Sequence, residues 1–469
     1  MSDPSSLLAH EIAAEVRAGQ LRARDVVDAC LARIDTLNPR VNAYTHVCAD
    51  RARAAAVRID GAVAAGKDPG PLAGVPFSVK NLFDVAGIST LAGSKINSDE
   101  APASRDAFLI ERLEAAGAIL VGAVTMGEYA YDFTGENVHY GASRNPHDLT
   151  RMSGGSSGGS GSAVAAGLCA FSLGSDTNGS IRVPSSFCGL FGLKPTFGRL
   201  SRGRTFPFVG SLDHLGPLAR SATDLALAYD AMQGLDPEDP AQADRSSEFC
   251  ATKLAEGTSG LRIARAGGYF SRSGDAIAFS AVDRVSKALG VTTDIDIPDA
   301  ALGRAAAYLV TMVEGGALHL DRLRRRAKAF DPDTRDRLFA GAMLPGAWYV
   351  QAQKARRTYR EGVLKLFDDV DAIIAPATPC QAPKLGQKRI VLDGVDLPLR
   401  ANIGVFTQPI SCIGLPVAAV PVWPDGEGLP IGVQIIAAPW REDIVLRIAH
   451  ALERNGTACA PVAPLKDAV

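Results

Sequence analysis

The chain has 469 residues, of which 47% are hydrophobic, and its 49 basic and 51 acidic residues give a formal net charge of −2. This length allows a large buried core, and the balanced charge indicates neither a nucleic-acid-binding surface nor an acidic disordered tail. The sequence has no apolar run long enough to span a bilayer, no C-x-x-C pair and no histidine cluster. We therefore expect a cytoplasmic protein without a signal peptide, a membrane segment or a structural metal site.

The N-terminal part predicts helices followed by an alternation of strand and helix. Apolar residues at helical spacing predict two helices before Asn38-Pro39, which we expect to end the second helix. Next come an alanine-rich helix at 52–65, a short strand at 74–80, a helix at 106–116 and a strand at 118–122. This alternation favours an α/β fold.

The rest of the chain continues this pattern around a polar segment, residues 137–152, that shows no strand-like spacing. A Gly/Ser run at 154–162 then leads into a small-residue helix at 163–167. The remaining predicted elements are a buried strand at 171–174, a surface loop at 237–260, a mostly helical section at 262–370, strands at 371–376, 416–422 and 431–436, and a closing helix at 442–453. No repeat and no long linker divides the chain, so we predict a single large α/β domain.

The Gly/Ser run at 154–162 has four competing interpretations. A flexible linker is disfavoured because apolar elements follow directly. A phosphate-binding Walker A loop requires Gly-Lys-Ser/Thr, whereas Gly161 is followed by Ser162 and Ala163. The G-x-S-x-G pattern of an α/β-hydrolase elbow occurs at 154–158, but we predict no strand before it. The fourth interpretation joins this run with residues 74–80 and 174–196.

Lys80 and Ser180 indicate nucleophilic catalysis by a serine that works without histidine. A serine hydroxyl needs a base to remove its proton, and a lysine kept neutral by burial can be that base. Lys80 lies in an otherwise apolar strand, and the backbone N–H groups of the turn at 177–179 can converge before Ser180 as an oxyanion hole. Taken alone, a strand-end lysine can equally reach solvent, and an Asn-Gly turn is common.

Together these segments resemble the amidase signature family of Ser–Ser–Lys amidases. The family's Gly-Gly-Ser-Ser-Gly-Gly, Gly-Thr/Ser-Asp-Thr-Gly-Gly-Ser-Ile-Arg and Cys-Gly-x-x-Gly-x-Lys-Pro-Thr segments correspond to 154–159, 174–182 and 188–196. The resemblance implies one α/β domain over residues 1–469, with a twisted mixed β-sheet covered by helices on both faces. Its expected sections are N-terminal helices (1–65), a signature core (66–235), a variable, mostly helical section (236–370) and the C-terminal part of the core (371–469).

The resemblance also implies the roles of individual residues. Ser180 matches the family's nucleophile, Lys80 its general base, and Ser156 the serine between them, whose peptide bond with Gly155 is cis in the family. The implied oxyanion hole consists of Thr177, Asn178, Gly179 and Ser180. No metal or organic cofactor is implied.

Position 178 departs from the usual family pattern, in which it is Gly or Ala. Asn tolerates the left-handed backbone region better than most residues, and its side chain can also touch substrate. Asp176 and Arg182, on either side of the turn, are expected to brace it rather than to react.

Several segments, among them 91–97, 195–202 and 213–217, look closer to one branch of the family, the 1-carboxybiuret hydrolases of cyanuric acid degradation. That branch shares Asn at position 178, and its substrate is a small, anionic, urea-like molecule that needs a cation in the pocket. Arg304 and Arg322 are candidates for the cation, although a solvated helix face is the stronger interpretation for both. Further candidate substrate contacts are Tyr131, Asp132 and Ser157.

Three other assignments stay open. They are the glutaminase component of glutamyl-tRNA amidotransferase (its A chain), a generic aryl or indole acetamide amidase, and a non-catalytic scaffold subunit. The intact Lys80, Ser156 and Ser180 argue against the scaffold. The expected partners are a small-molecule amide substrate and a small helical partner subunit in a homo- or hetero-oligomer, with no direct contact to nucleic acid or membrane.

Overall fold

A mixed β-sheet lies at the centre of the computed structural model, which describes residues 6–424 and 428–465. Most of its strands are buried segments rich in Val, Ile, Ala and Phe, whereas the strands of two small separate sheets contain polar or exposed residues. In the described ranges the strands are β1 (Tyr44–Val47), β2 (Pro76–Lys80), β3 (Ile119–Val124), β4 (Arg144–Asn145), β5 (Asp148–Met152), β6 (Phe171–Asp176), β7 (Phe191–Lys194), β8 (His214–Ala219), β9 (Ile263–Ala266), β10 (Thr293–Ile295), β11 (Ala372–Pro376), β12 (Arg389–Leu392), β13 (Val395–Pro398), β14 (Val417–Val422) and β15 (Ile431–Ala437).

The central sheet has eleven strands within the described residues, in the order β1-β3-β2-β6-β8-β7-β14-β15-β11-β9-β10. β2 pairs in parallel with β3 and β6, and β9 pairs in parallel with β10 and β11. The strands between these two groups pair antiparallel, so the sheet is mixed, as predicted. Every residue of β2, β3 and β6 is buried, which is typical of strands covered on both faces.

Helices flank this sheet. Within the same ranges they are α1 (Ala9–Arg17), α2 (Ala23–Val41), α3 (Ala49–Ala64), α4 (Phe108–Ala115), α5 (Gly158–Ala165), α6 (Arg182–Cys188), α7 (Ala222–Met232), α8 (Ala276–Ala288), α9 (Ala300–Leu318), α10 (Leu320–Arg326), α11 (Pro332–Ala342), α12 (Gly346–Leu364), α13 (Leu399–Asn402), α14 (Gln408–Cys412) and α15 (Glu442–Arg454). None of the helices described here combines the length and the apolar content that crossing a membrane requires.

One sheet contains strands from the predicted core, from the variable section and from the C-terminal part. β9 and β10 come from the section expected to be mostly helical and extend the sheet beyond β11. The chain is therefore a single α/β domain, as predicted. Its division at 65, 235 and 370 stays a prediction, and residues 1–5 of the predicted N-terminal helices lie outside the described residues.

The predicted end of the second helix at Asn38-Pro39 is wrong. Helix α2 continues through Pro39 to Val41 because a proline so close to the end interrupts little of the hydrogen-bond ladder. Asn42, at φ 51°, then adopts the left-handed conformation and ends the helix. The Asn38 side chain accepts hydrogen bonds from the N–H groups of Ala43 and Tyr44, which directs the chain into β1, a strand that the sequence pattern does not predict.

The prediction for the segment before the Gly/Ser run is also wrong, since residues 148–152 form strand β5 rather than an irregular stretch. β5 pairs with β4 in a separate two-stranded sheet, where the polar side chains of Asp148 and Arg151 form an ion pair. A strand at a polar surface lacks the apolar alternation on which sequence patterns depend. Because β5 lies outside the central sheet, it does not form the strand of an α/β-hydrolase elbow, and that interpretation stays disfavoured.

Candidate active site

Two parallel strands bring Lys80 and Ser180 to the same edge of the sheet. Lys80 is the last residue of β2, and the turn with Ser180 follows directly after β6. β2 and β6 pair from Phe77 with Phe171 to Val79 with Leu173, so their carboxyl ends lie side by side. In α/β sheets, sites form outside the carboxyl ends of such strands.

Lys80 is completely buried, and hydroxyl groups surround its amine. Its Nζ lies 2.6 Å from Ser156 Oγ, 2.8 Å from Ser175 Oγ and 3.1 Å from Ser157 Oγ. Burial disfavours the ammonium form and lowers the pKa of Lys80 from 10.5 to about 7, although distant carboxylates, first that of Asp213, act in the opposite direction. The amine is therefore able to accept a proton near neutral pH.

Ser156 lies inside the Gly/Ser run, just before helix α5, and its peptide bond with Gly155 is cis, as the resemblance implied. The Ser156 carbonyl accepts a hydrogen bond from Gly127 N–H at 3.1 Å, which ties this segment to the chain after β3. Gly155 has no room for a side chain, because a Cβ there would collide with the carboxylate of Asp132. The Ser156 hydroxyl is thereby held against Lys80.

Ser180 lies at the end of a turn whose backbone N–H groups are free. In the part of the chain that the structure describes, no protein acceptor takes a hydrogen bond from the N–H groups of residues 177–180. The turn is held by two hydroxyls, since Thr177 Oγ1 donates to Asp213 at 2.6 Å and Thr407 Oγ1 donates to the Asn178 carbonyl at 2.7 Å. This arrangement can bind an oxyanion.

The hydroxyl of Ser180 does not contact Ser156 within hydrogen-bond distance among the described residues. It faces the cavity that a substrate would enter, whereas Ser156 and Lys80 lie behind it, fully buried. The structure therefore brings Lys80 and Ser156 together directly and places Ser180 beside the proposed oxyanion hole. Catalytic hydrogen bonds that are absent without substrate commonly form in the complex.

A buried ion pair braces the turn. Arg182 Nε lies 2.9 Å from Asp176 Oδ2, and both side chains are fully buried. The Arg182 guanidinium also donates to the Thr407 carbonyl and to Gln434 Oε1, at 3.2 and 2.6 Å, and to Ser411 Oγ. Burial alone would raise the pKa of Asp176, but the charge of Arg182 and its hydrogen bonds hold that pKa far below its ordinary value. These contacts agree with the bracing role expected from the sequence.

The cavity at Ser180 contains two arginines that the sequence pattern does not identify. It is lined by Ala130, Tyr131, Asp132, Phe133, Thr177, Asn178, Ser180, Phe208, Tyr308, Thr311, Arg337, Arg400, Ala401 and Gln408. The Arg337 guanidinium lies 3.9 Å from the centre of the Tyr131 ring, and Arg400 Nε lies 3.5 Å from Asp132 Oδ1. No local pattern distinguishes either arginine from the other arginines of the chain.

Of the substrate contacts and cation candidates predicted from the sequence, some line the cavity and others do not. Tyr131 and Asp132 line the cavity. Ser157 does not line it, because its hydroxyl is buried between Lys80 and the Ser175 carbonyl. The cation candidate Arg304 is engaged behind the cavity wall by Gln408 and Asn402, at 2.9 Å each. The other candidate, Arg322, lies over the Phe206 ring and is not among the lining residues.

The chain resembles a known protein family, curated relatives and solved structures. The family model Amidase matches residues 25–446. The chain is 52% identical to AtzE, a component of the 1-carboxybiuret hydrolase of Pseudomonas sp. (strain ADP), over 96% of this chain and 98% of the relative. It is 36% identical to the A component of the glutamyl-tRNA(Gln) amidotransferase of Carboxydothermus hydrogenoformans, over 96% of this chain and 97% of that relative.

A solved structure also resembles this chain over nearly its whole length. It is described as an unexpected vestigial protein complex that reveals the evolutionary origins of an s-triazine catabolic enzyme. The chain superposes on it with a TM-score of 0.96 at 51% identity, over 97% of this chain and all of that one. The fold and nearly the whole length are therefore shared with this protein.

Proposed function

The chain belongs to the amidase family, whose members hydrolyse carbon–nitrogen bonds, and we propose that it hydrolyses 1-carboxybiuret with Ser180 as the nucleophile. The observation that carries this proposal is the cavity itself, which contains Ser180 and two arginines, Arg337 and Arg400. 1-Carboxybiuret is a small ureido molecule with one carboxylate, so it has the charge that such a cavity attracts.

The proposed reaction begins with proton transfer away from Ser180. Neutral Lys80 takes the proton of Ser156, Ser156 takes the proton of Ser180, and Ser180 Oγ attacks the terminal ureido carbonyl. The 2.6 Å distance between Lys80 Nζ and Ser156 Oγ supports the first transfer. The free N–H groups of residues 177–180 bind the oxyanion.

The acyl-enzyme then forms in one step and is hydrolysed in a second. Ser156 returns a proton to the leaving nitrogen, the C–N bond breaks, and ammonia departs while Ser180 carries the acyl group. Water gives a proton to Ser156 and through it to Lys80, and its oxygen attacks the acyl carbon. The carbamate bond to Ser180 then breaks as the relay returns the proton to Ser180 Oγ, which leaves Lys80 neutral again. The product has gained a second carboxylate in place of the terminal amide.

Arg400 is the better candidate for binding the substrate carboxylate. Burial alone would lower the pKa of Arg400, but the carboxylates of Asp132, Asp331 and Asp333 keep it above its ordinary value, so the guanidinium stays charged. Its Nη1 is buried and has no hydrogen-bond partner among the described residues. Arg337, in contrast, already donates to the Tyr131 carbonyl at 2.5 Å.

We also propose a cytoplasmic location and a partner protein. The solved structure with a TM-score of 0.96 is described as a protein complex, which supports a partner, and exposed apolar side chains such as Met343 and Trp348 offer a surface for one. A small helical partner, and the choice between a homo- and a hetero-oligomer, rest on family likeness. All eight cysteines are free, which favours a reducing compartment.

The test is ammonia release by the wild type and by Ser180→Ala. The substrates are 1-carboxybiuret made in situ by cyanuric acid hydrolase, biuret, malonamate, glutamine and indole-3-acetamide. Turnover of 1-carboxybiuret by the wild type, lost in Ser180→Ala, is the expected result. Turnover of glutamine or indole-3-acetamide instead would replace the substrate assignment by the amidotransferase or arylacetamide alternative. Equal activity of both proteins would refute the role of Ser180.

A further inference from the structure

Three buried polar atoms without hydrogen-bond partners lie around the same cavity, although one of them, Arg400 Nη1, lies 3.7 Å from Asp333 Oδ2 in an ion pair. Among the described residues, Tyr131 Oη, Asn178 Oδ1 and Arg400 Nη1 are buried and have no hydrogen-bond partner, and all three residues line the cavity at Ser180. Buried polar groups in folded proteins are almost always paired, so an unpaired group at a cavity indicates a ligand atom that completes it. One of the three is an acceptor only, namely the amide oxygen Asn178 Oδ1.

Hydrogen bonds fix both the side-chain amide and the main chain of Asn178. Its Nδ2 donates to Thr311 Oγ1 at 2.8 Å, and its main-chain carbonyl accepts from Thr407 Oγ1 at 2.7 Å. Thr311 itself is buried on helix α9. With the amide nitrogen engaged in the wall, the oxygen is the atom of this side chain left for a substrate.

We propose that Asn178 Oδ1 accepts a hydrogen bond from an N–H group next to the scissile carbonyl, and that it thereby selects ureido substrates over carbon-linked carboxamides. The inference deepens the proposed function and rests on Ser180 as the nucleophile. With ammonia as the leaving group, all the rest of the substrate lies on the acyl side. Asn178 belongs to the turn that carries Ser180, so its side chain lies beside that acyl part.

The selection follows from an unpaired acceptor. A ureido group, –NH–CO–NH2, donates its internal N–H to Asn178 Oδ1 and so gives the buried oxygen a hydrogen-bond donor. A carboxamide, –CH2–CO–NH2, presents a methylene at the same place and leaves the buried oxygen without a donor. Sites built to hydrogen-bond a substrate group discriminate strongly against analogues that lack it.

Thr311 is a positioning residue in this scheme. Its hydroxyl oxygen accepts from Asn178 Nδ2 and so determines which end of the amide faces the cavity. Thr311→Val has nearly the same volume but removes the acceptor, which allows the amide to turn. Thr311→Ser keeps the hydroxyl and should restore the selectivity.

The test compares N-carbamoylglycine with succinamate, two carboxylates that differ only in NH against CH2 next to the terminal carbonyl. Binding of each is measured by calorimetry to Ser180→Ala protein, so that neither is consumed. We expect N-carbamoylglycine to bind about 10-fold more tightly or better. The preference should vanish when Asn178→Ala or Thr311→Val is added and should remain with Thr311→Ser.

Equal affinities for the two compounds, binding of neither, or a preference that survives Asn178→Ala would overturn the inference. Since the family usually has Gly or Ala at position 178, Asn178→Ala is compatible with the fold. The proposed function is judged separately by 1-carboxybiuret turnover in the wild type. A preference for N-carbamoylglycine without turnover of 1-carboxybiuret would support the role of Asn178 Oδ1 as an acceptor and reject 1-carboxybiuret as the substrate. Turnover of 1-carboxybiuret without that preference would support the substrate and reject the role of Asn178.

Discussion

If Lys80 is the base, kcat/KM should fall at acidic pH with a midpoint near pH 7. Its pKa is lowered to about 7, so the amine is about 90% neutral at pH 8, whereas an ordinary lysine would be only about 0.3% neutral. The base must be neutral to accept the Ser156 proton. We therefore expect kcat/KM to fall about tenfold for each pH unit below 7 and to level off above it.

The assay is ammonia release at low substrate concentration between pH 5 and 9, with the folded fraction checked by circular dichroism at each pH. Among the described residues Lys194 and Glu453 also have a pKa of about 7, and each can be removed separately. Glu453→Gln keeps an acceptor for the Ala222 N–H at 2.9 Å, and Lys194→Met removes the other titration. The midpoint of the limb should stay near 7 in both variants.

Two results would refute this reasoning. A limb that moves or disappears in Glu453→Gln or Lys194→Met would assign the titration to a group other than Lys80. A midpoint close to 10 would mean that the buried lysine keeps its ordinary pKa and that the neutral-amine relay is wrong.

Three further changes test the site and its bracing. Ser156→Ala should lower kcat by about 10²–10⁴ with little change in KM, because it removes the proton relay but not the cavity, and steady-state kinetics with unchanged kcat would contradict this. Thr407→Val removes the hydrogen bond to the Asn178 carbonyl and should lower kcat about tenfold while the melting temperature changes little; a large loss of melting temperature instead would show that Thr407 acts on stability. Arg182→Met leaves the Asp176 carboxylate buried without its partner, so the free energy of unfolding in urea should drop by about 3–5 kcal/mol, and an unchanged value would contradict the ion pair's role.

Local sequence information is sufficient for the elements that hold the proposed triad. The apolar pattern around Lys80 predicts a strand, and that strand is β2, buried at every residue. The small-residue helix predicted at 163–167 is α5, which begins inside the Gly/Ser run, at Gly158 rather than at residue 163, and is buried throughout. The direct contact of Lys80 with Ser156 follows from the family resemblance rather than from any local pattern.

The arginines that line the cavity cannot be identified from the sequence alone. Arg304 and Arg322 are candidates because they lie in the variable section, but the lining arginines are Arg337 and Arg400. Whether an arginine is exposed, paired or directed into a cavity depends on residues far along the chain, such as Asp132 for Arg400. The same limit hides the contact of Asn178 with Thr311, which are 133 residues apart.

The brace of the Ser180 turn has a consequence for the order in which the chain folds. Arg182 donates to Gln434, 252 residues further along, and to the Thr407 carbonyl. While the chain is being synthesised, the segment with Lys80, Ser156 and Ser180 leaves the ribosome long before these partners exist. Contacts so distant in sequence form late and slowly. The turn that carries the proposed nucleophile therefore becomes rigid only when β14 and β15 are in place. An unfinished or C-terminally shortened chain would have the side chains of the proposed triad without the contacts that hold this turn.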